Sequence, residues 1–171
     1  MFEQIKGLRT DTAIYGISTV IARLLNFALV PLYANTLTTA EFGVVANLYS
    51  YLAFITIFYS FGMESSYFRF ASSKEIGGEK DNFSTPFLAI AAASLTFSVF
   101  MILFSPSLTT IFQIDASQYY FLYYAAGILF FDAVILVPYA SLRLQRRAKF
   151  FAATKVLNIV MTIVLNIIIV Y

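Results

Sequence analysis

Few residues in this chain are able to do chemistry, and most of those sit among apolar neighbours. Arg23 lies in the run IARLLNFALVP, Asp132 in ILFFDAVIL, and Lys155 opens the run KVLNIVMTIVLNIIIVY. At helical spacing, Gly16, Thr19, Arg23 and Asn26 form one stripe, and Lys155, Asn158, Thr162 and Asn166 form another. Asn47, Tyr51 and Phe58, with Gly62 beyond, form a third, and Glu64 follows it closely. An ionised side chain in such surroundings normally faces a bundle interior or a wet cavity and has a partner. A carboxylate there is a candidate ion-coupling or gating group. The candidate substrate-binding residues are therefore Arg23, Asn26, Asn47, Tyr51, Lys155 and Asn158. The candidate coupling or gating residues are Asp132 and Glu64. The plainer reading of each Asn is a hydrogen bond between helices, worth about 0.6 kcal/mol. Histidine and cysteine are both absent. That excludes disulfides, thiolate nucleophiles, imidazole bases and the usual zinc constellations, and no metal or other cofactor is expected.

The elements that must position these residues are membrane spans. Hydrophobic residues make up 60% of the 171 positions and charged residues only 12%. Soluble domains run at roughly 45–50% apolar and about 25% charged. A mean hydropathy of +0.81 excludes both a soluble globular domain and a disordered tail. A bilayer core about 30 Å thick takes roughly 20 apolar residues per helix. Four complete stretches meet that length, at about 12–34, 43–63, 83–105 and 119–141, and a fifth covers about 150–171. The expected fold is all-α, a polytopic bundle of transmembrane helices. The fifth stretch ends with the sequence itself, so residues 1–171 read as the N-terminal part of a longer multi-span chain. The first apolar run is too long for the core of a cleaved signal peptide.

Arg23 is expensive to insert. An ionised side chain at mid-span costs about 2.5–3.5 kcal/mol, and each Leu, Ile, Phe or Val returns about 0.3–0.6. The first span has ten such residues, so burial of Arg23 among other helices is expected to help it. Counted from one face of the membrane, Arg23 and Asp132 lie at nearly equal depths of roughly 16 and 14 Å. An ion pair between them is one expectation. Pro31 and Pro138, near span ends, are expected to kink their helices, and Ala89, Ala91, Ala92 and Ala93 to allow close helix approach.

The charges set the topology. Ten of the eleven Lys and Arg fall in the leader and in the segments after the second and fourth spans, Lys155 just inside the fifth span among them, and the two intervening loops hold none. Cytoplasmic loops carry the Lys/Arg excess, so the N-terminus is expected in the cytoplasm. Gly77-Gly78 marks a turn in the polar segment SSKEIGGEKDN. The basic connector Arg143-Leu-Gln-Arg-Arg-Ala-Lys149 reads first as a positive-inside signal in contact with anionic headgroups. Its sharper reading is a docking site for a phosphate-bearing substrate.

These residues also have a familiar order. Tyr15-Gly16, Arg23-Leu-Leu-Asn26 and Pro31-Leu-Tyr33 are followed by Leu37-Thr-Thr-Ala-Glu-Phe-Gly43 and then Phe61-Gly-Met-Glu-Ser-Ser-Tyr-Phe-Arg-Phe70. This resembles the N-terminus of the polysaccharide biosynthesis transporters, the O-antigen and lipid-linked oligosaccharide flippases, best over residues 1–70. They form one superfamily with the multidrug and toxic compound extrusion transporters. The resemblance implies two helical lobes around a cavity, in the inner membrane. It implies alternating-access transfer of an undecaprenyl-pyrophosphate-linked oligosaccharide, for surface polysaccharide or O-antigen synthesis. It places Arg23 where the first span carries a cavity cation, and matches Glu64 and Arg69 to the polar end of the second. No family motif covers Asp132. The implied partners are the lipid-linked oligosaccharide, bilayer lipids and polysaccharide assembly proteins, with no nucleic acid. Two alternatives remain: a same-fold exporter of drugs or cations, and a truncated remnant that transports nothing. A cationic cargo calls for carboxylates, whereas Arg23 and Lys155 outnumber the deep Asp132. An enzyme of the same pathway would need a catalytic set in a sizeable loop, and no loop here is long enough.

Overall fold

A computed structural model describes the backbone of residues 2–73 and 79–170, and side chains from residue 12 onward except those at 22, 26, 72–81, 166 and 169–170. The Gly77-Gly78 turn, Lys74 and the side chains of Asn26, Lys80 and Asn166 lie outside the described residues. The described residues are helical almost throughout, and five helical stretches are long and apolar enough to cross a membrane: Thr12–Thr36, Thr39–Ala71, Asn82–Leu103, Phe121–Leu144 and Ala148–Leu165. The fold is an all-α polytopic bundle. It divides into two compact units, one of Met1–Phe42 with Leu142–Tyr171 and one of Gly43–Ser141.

The first unit is built on α1 (Phe2–Ala28) and α9 (Ala148–Val170), with α2 (Val30–Thr36) and the end of α8 (Leu136–Leu144). Proline divides the first span. Pro31 has no N–H to give the turn before it, so helix stops at Ala28 and restarts at Val30. The break is one residue wide, because Tyr33 N–H still reaches the Leu29 carbonyl at 3.1 Å. α1 packs along α9, with Ser18, Phe151 and Ile159 buried. Ser18 and Thr19 both donate to the Tyr15 carbonyl, at 3.1 and 2.8 Å, so neither hydroxyl is left unsatisfied in an apolar setting.

The second unit holds most of α3 (Thr39–Ser60) and α8, together with α4 (Met63–Ser73), α5 (Glu79–Leu103), α6 (Ser105–Phe112) and α7 (Phe121–Val134). The start of α3 is a capping box. Thr38 N–H and Oγ1 both donate to Glu41 Oε2, at 2.9 and 2.7 Å, and Glu41 N–H returns to Thr38 Oγ1 at 3.3 Å. Its end is the pair Phe61 and Gly62, both at positive φ, which no helix continues through. The core is α5 against α7. Ile90, Ser94, Ser98 and Met101 of α5 are buried, as are Leu122, Ala125, Ala126, Leu129 and Ala133 of α7. The small side chains that permit this contact are thus Ser94 and Ser98 facing the alanines of α7. Ala89 and Ala92 are exposed, and Ala91 and Ala93 only half-buried. Three helices share one polar link: the Tyr59 and Ser98 hydroxyls lie 3.2 Å apart, and Ser98 donates to the Ala126 carbonyl at 3.1 Å. Pro106 and Pro138 stand just inside α6 and α8 and mark the breaks that precede them, whereas Pro86 lies inside an unbroken α5.

Between α6 and α7, Asp115 caps a single 3-10 turn by accepting from Ser117 N–H and Oγ, at 2.8 and 2.6 Å. Those two bonds hold its carboxyl below the usual carboxylate range.

Candidate functional site

Within the first unit, cations gather on one pair of rings. Tyr15 of α1 and Phe151 of α9 meet edge to face, 5.1 Å between centroids and 86° between planes. Lys155 stands one turn beyond Phe151 and holds its Nζ 6.0 Å from that ring's centroid, which is cation–π range. Arg143, in the last turn of α8, is half-buried and within electrostatic reach of the Tyr15 hydroxyl. Both Tyr15 Oη and Arg143 Nε are buried atoms. A guanidinium, an ammonium and a phenol around one aromatic pair can accept an oxyanion, since an arginine fork matches phosphate oxygens two at a time. Arg143 also sits where the helix dipole is negative, which offsets part of its desolvation.

The sequence singled out Lys155 of this set but placed Arg143 only in the basic connector, and it quoted Tyr15 only as part of a motif. No local pattern brings α1, α8 and α9 together, so the cluster had to come from packing. Arg23 lies eight residues beyond Tyr15 on α1 and is exposed. Gly16 is exposed too, so the stripe of Gly16, Thr19 and Arg23 lies mainly on the side of α1 that α9 leaves open. Asn158 is exposed on α9, and its carbonyl accepts from Thr162 at 2.9 Å.

The other candidates belong to the second unit. Asn47 donates its amide to the Phe112 carbonyl at 2.6 Å, and the Tyr51 ring lies 5.0 Å from the Phe112 ring. Those two side chains tie α3 to the end of α6. Glu64 is half-buried in the first turn of α4, where a carboxylate suits the positive end of the helix dipole. Asp132 is exposed on α7. A groove between α3 and α7, lined by Val44, Leu48, Leu52, Tyr124 and Ile128, is almost wholly apolar and offers a charged ligand nothing to bind.

The sequence was also compared with known proteins. A family model described as "Polysaccharide biosynthesis protein" matches residues 8–171. No curated protein and no solved structure gives a significant match.

Proposed function

The chain belongs to the polysaccharide biosynthesis protein family, a transporter-type family, and on that premise we propose that it moves a polyprenyl-pyrophosphate-linked oligosaccharide across the cell membrane. The observation that carries the proposal is Lys155 over the Phe151 ring inside the fifth span, with Arg143 at the end of the fourth span within electrostatic reach of the Tyr15 hydroxyl. Lys155 lies seven residues inside the fifth span, where a charge is costly, and charges that persist at such depth in membrane proteins usually serve a substrate or ion path. A pyrophosphate carries several oxyanions and meets Arg143 and Lys155 as charge-assisted hydrogen-bond acceptors. Arg23 and Asn158 extend the polar lining toward the glycan in this reading. Asn47 and Tyr51 hold the end of α6 against α3. Asp132 and Glu64 are the carboxylates available to couple transport to an ion gradient.

The mechanism is alternating access, in which one helical bundle moves against another around a fixed site. A cationic cargo is the poorer match, because it would meet a guanidinium and an ammonium at this cluster. The N-terminus faces the cytoplasm in this account, so Arg143 lies near the side on which lipid-linked precursors are made.

The test is binding. The protein in lipid nanodiscs is titrated with a polyprenyl-pyrophosphate oligosaccharide and with its neutral polyprenol analogue. Charge-assisted hydrogen bonds contribute about 1.5–3 kcal/mol each, so R143Q/K155Q is expected to weaken binding of the pyrophosphate compound by about tenfold or more. Binding of the neutral analogue should not change. Equal affinity of wild type and variant for the pyrophosphate compound would reject the assignment.

A further inference from the structure

The fourth span ends at Leu144 and the fifth begins at Ala148, so the turn between them lies at a membrane boundary. Its geometry is a Schellman close. Arg147 N–H reaches the Leu142 carbonyl at 3.0 Å, Arg146 N–H reaches the Arg143 carbonyl at 3.1 Å, and Arg146 itself has φ +54°. That left-handed position is usually glycine, because a Cβ there is strained. Here it is an arginine. Arg146, Arg147 and Lys149 are all exposed, and among the described residues their side chains enter no hydrogen bond or ion pair. Beside them Phe150, on the first turn of α9, is 59% exposed.

We propose that this turn is a docking surface for the headgroups of anionic phospholipids. Arg146, Arg147 and Lys149 hold the phosphodiester, and Phe150 lies among the upper acyl carbons. Two observations select this occupant. Among the described residues the three cations have no counter-charge, and Arg146 and Arg147 stand between the span ends with Lys149 on the first turn of the fifth span, at the level of headgroup phosphates, whereas Lys155 lies well within that span. Arginine at the strained position keeps a third positive charge where glycine would relax the backbone. The proposal is independent of the transported cargo.

The experiment measures lipid selectivity. The protein is reconstituted in phosphatidylcholine vesicles, and motionally restricted spin label is compared for labelled phosphatidylglycerol and labelled phosphatidylcholine. Each cation near an anionic surface is worth about fivefold in association. The wild type should therefore prefer phosphatidylglycerol, and R146Q/R147Q/K149Q should lose about tenfold or more of that preference. High salt should have the same effect, and R146K/R147K/K149R should retain the preference. Arg146→Gly separates charge from fold: it should raise the unfolding temperature in pure phosphatidylcholine while losing about fivefold in selectivity. If R146Q/R147Q/K149Q keeps its preference, or Arg146→Gly stabilises without changing it, the turn does not bind headgroups. Displacement of the label from wild type by inorganic pyrophosphate would make it a free-anion site and would also overturn the proposal.

Discussion

Asn47 and Lys155 carry similar polarity on apolar helices, yet they do different things. Asn47 gives its amide to the Phe112 carbonyl at 2.6 Å, so its removal should be felt by the fold. Asn47→Leu is expected to lower the stability of the reconstituted protein by about 1 kcal/mol, the upper part of the range for such bonds in membranes. Reversible unfolding in detergent with added denaturant measures it. No change would mean that the bond contributes nothing. Lys155 lies over a ring, its Nζ 6.0 Å from the Phe151 centroid. The sequence could show that both residues are polar in apolar surroundings. Which of them is committed to a helix end depends on a partner 65 positions away, and periodicity says nothing about that. Arg143 was obscured for the opposite reason: it heads a basic run, so its half-burial within reach of the Tyr15 hydroxyl was masked by its neighbours.

Helix ends were the most legible feature at the scale of elements. The span lengths follow from hydropathy, and Pro31, Pro106 and Pro138 each stand beside a break because proline cannot donate to the preceding turn. Pro86 follows the same chemistry with a different outcome: the carbonyl it leaves unpaired is near the polar start of α5, and the helix runs on. The segment Leu37–Gly43, which contributes to the family resemblance, is locally a capping box. Its Thr38 and Glu41 satisfy one another's backbone at the entrance to α3. Thr38→Ala is therefore expected to cost about 1 kcal/mol of stability, read from the same unfolding experiment, with no loss of pyrophosphate binding. A variant that binds less but unfolds at the same denaturant concentration would show that Thr38 serves the cargo instead. The alanines of α5 were legible as a small-residue run but not in their direction. The face turned to α7 presents Ser94 and Ser98, and only packing shows which of two adjacent small stripes is used.

For the whole molecule, the uneven placement of positive charge makes a topological prediction. Reporter fusions within 35–42 and 107–118 should report the outside, and fusions within 74–80 and 146–149 the cytoplasm. A cytoplasmic signal from either loop that lacks Lys and Arg would invert the orientation used above. Family membership and five apolar helical stretches establish a multi-pass membrane protein of the polysaccharide biosynthesis family. The central claim is that its cations inside the membrane serve a pyrophosphate-linked glycan. The most direct measurement is surface polysaccharide in a host whose own lipid-linked oligosaccharide flippase has been deleted, comparing the full-length wild-type protein that carries these 171 residues with its R143Q/K155Q variant at equal membrane abundance. The account predicts that the wild type restores surface glycan and that the variant falls about tenfold or more below it. Equal restoration by both, or none by a correctly inserted wild type, would contradict it.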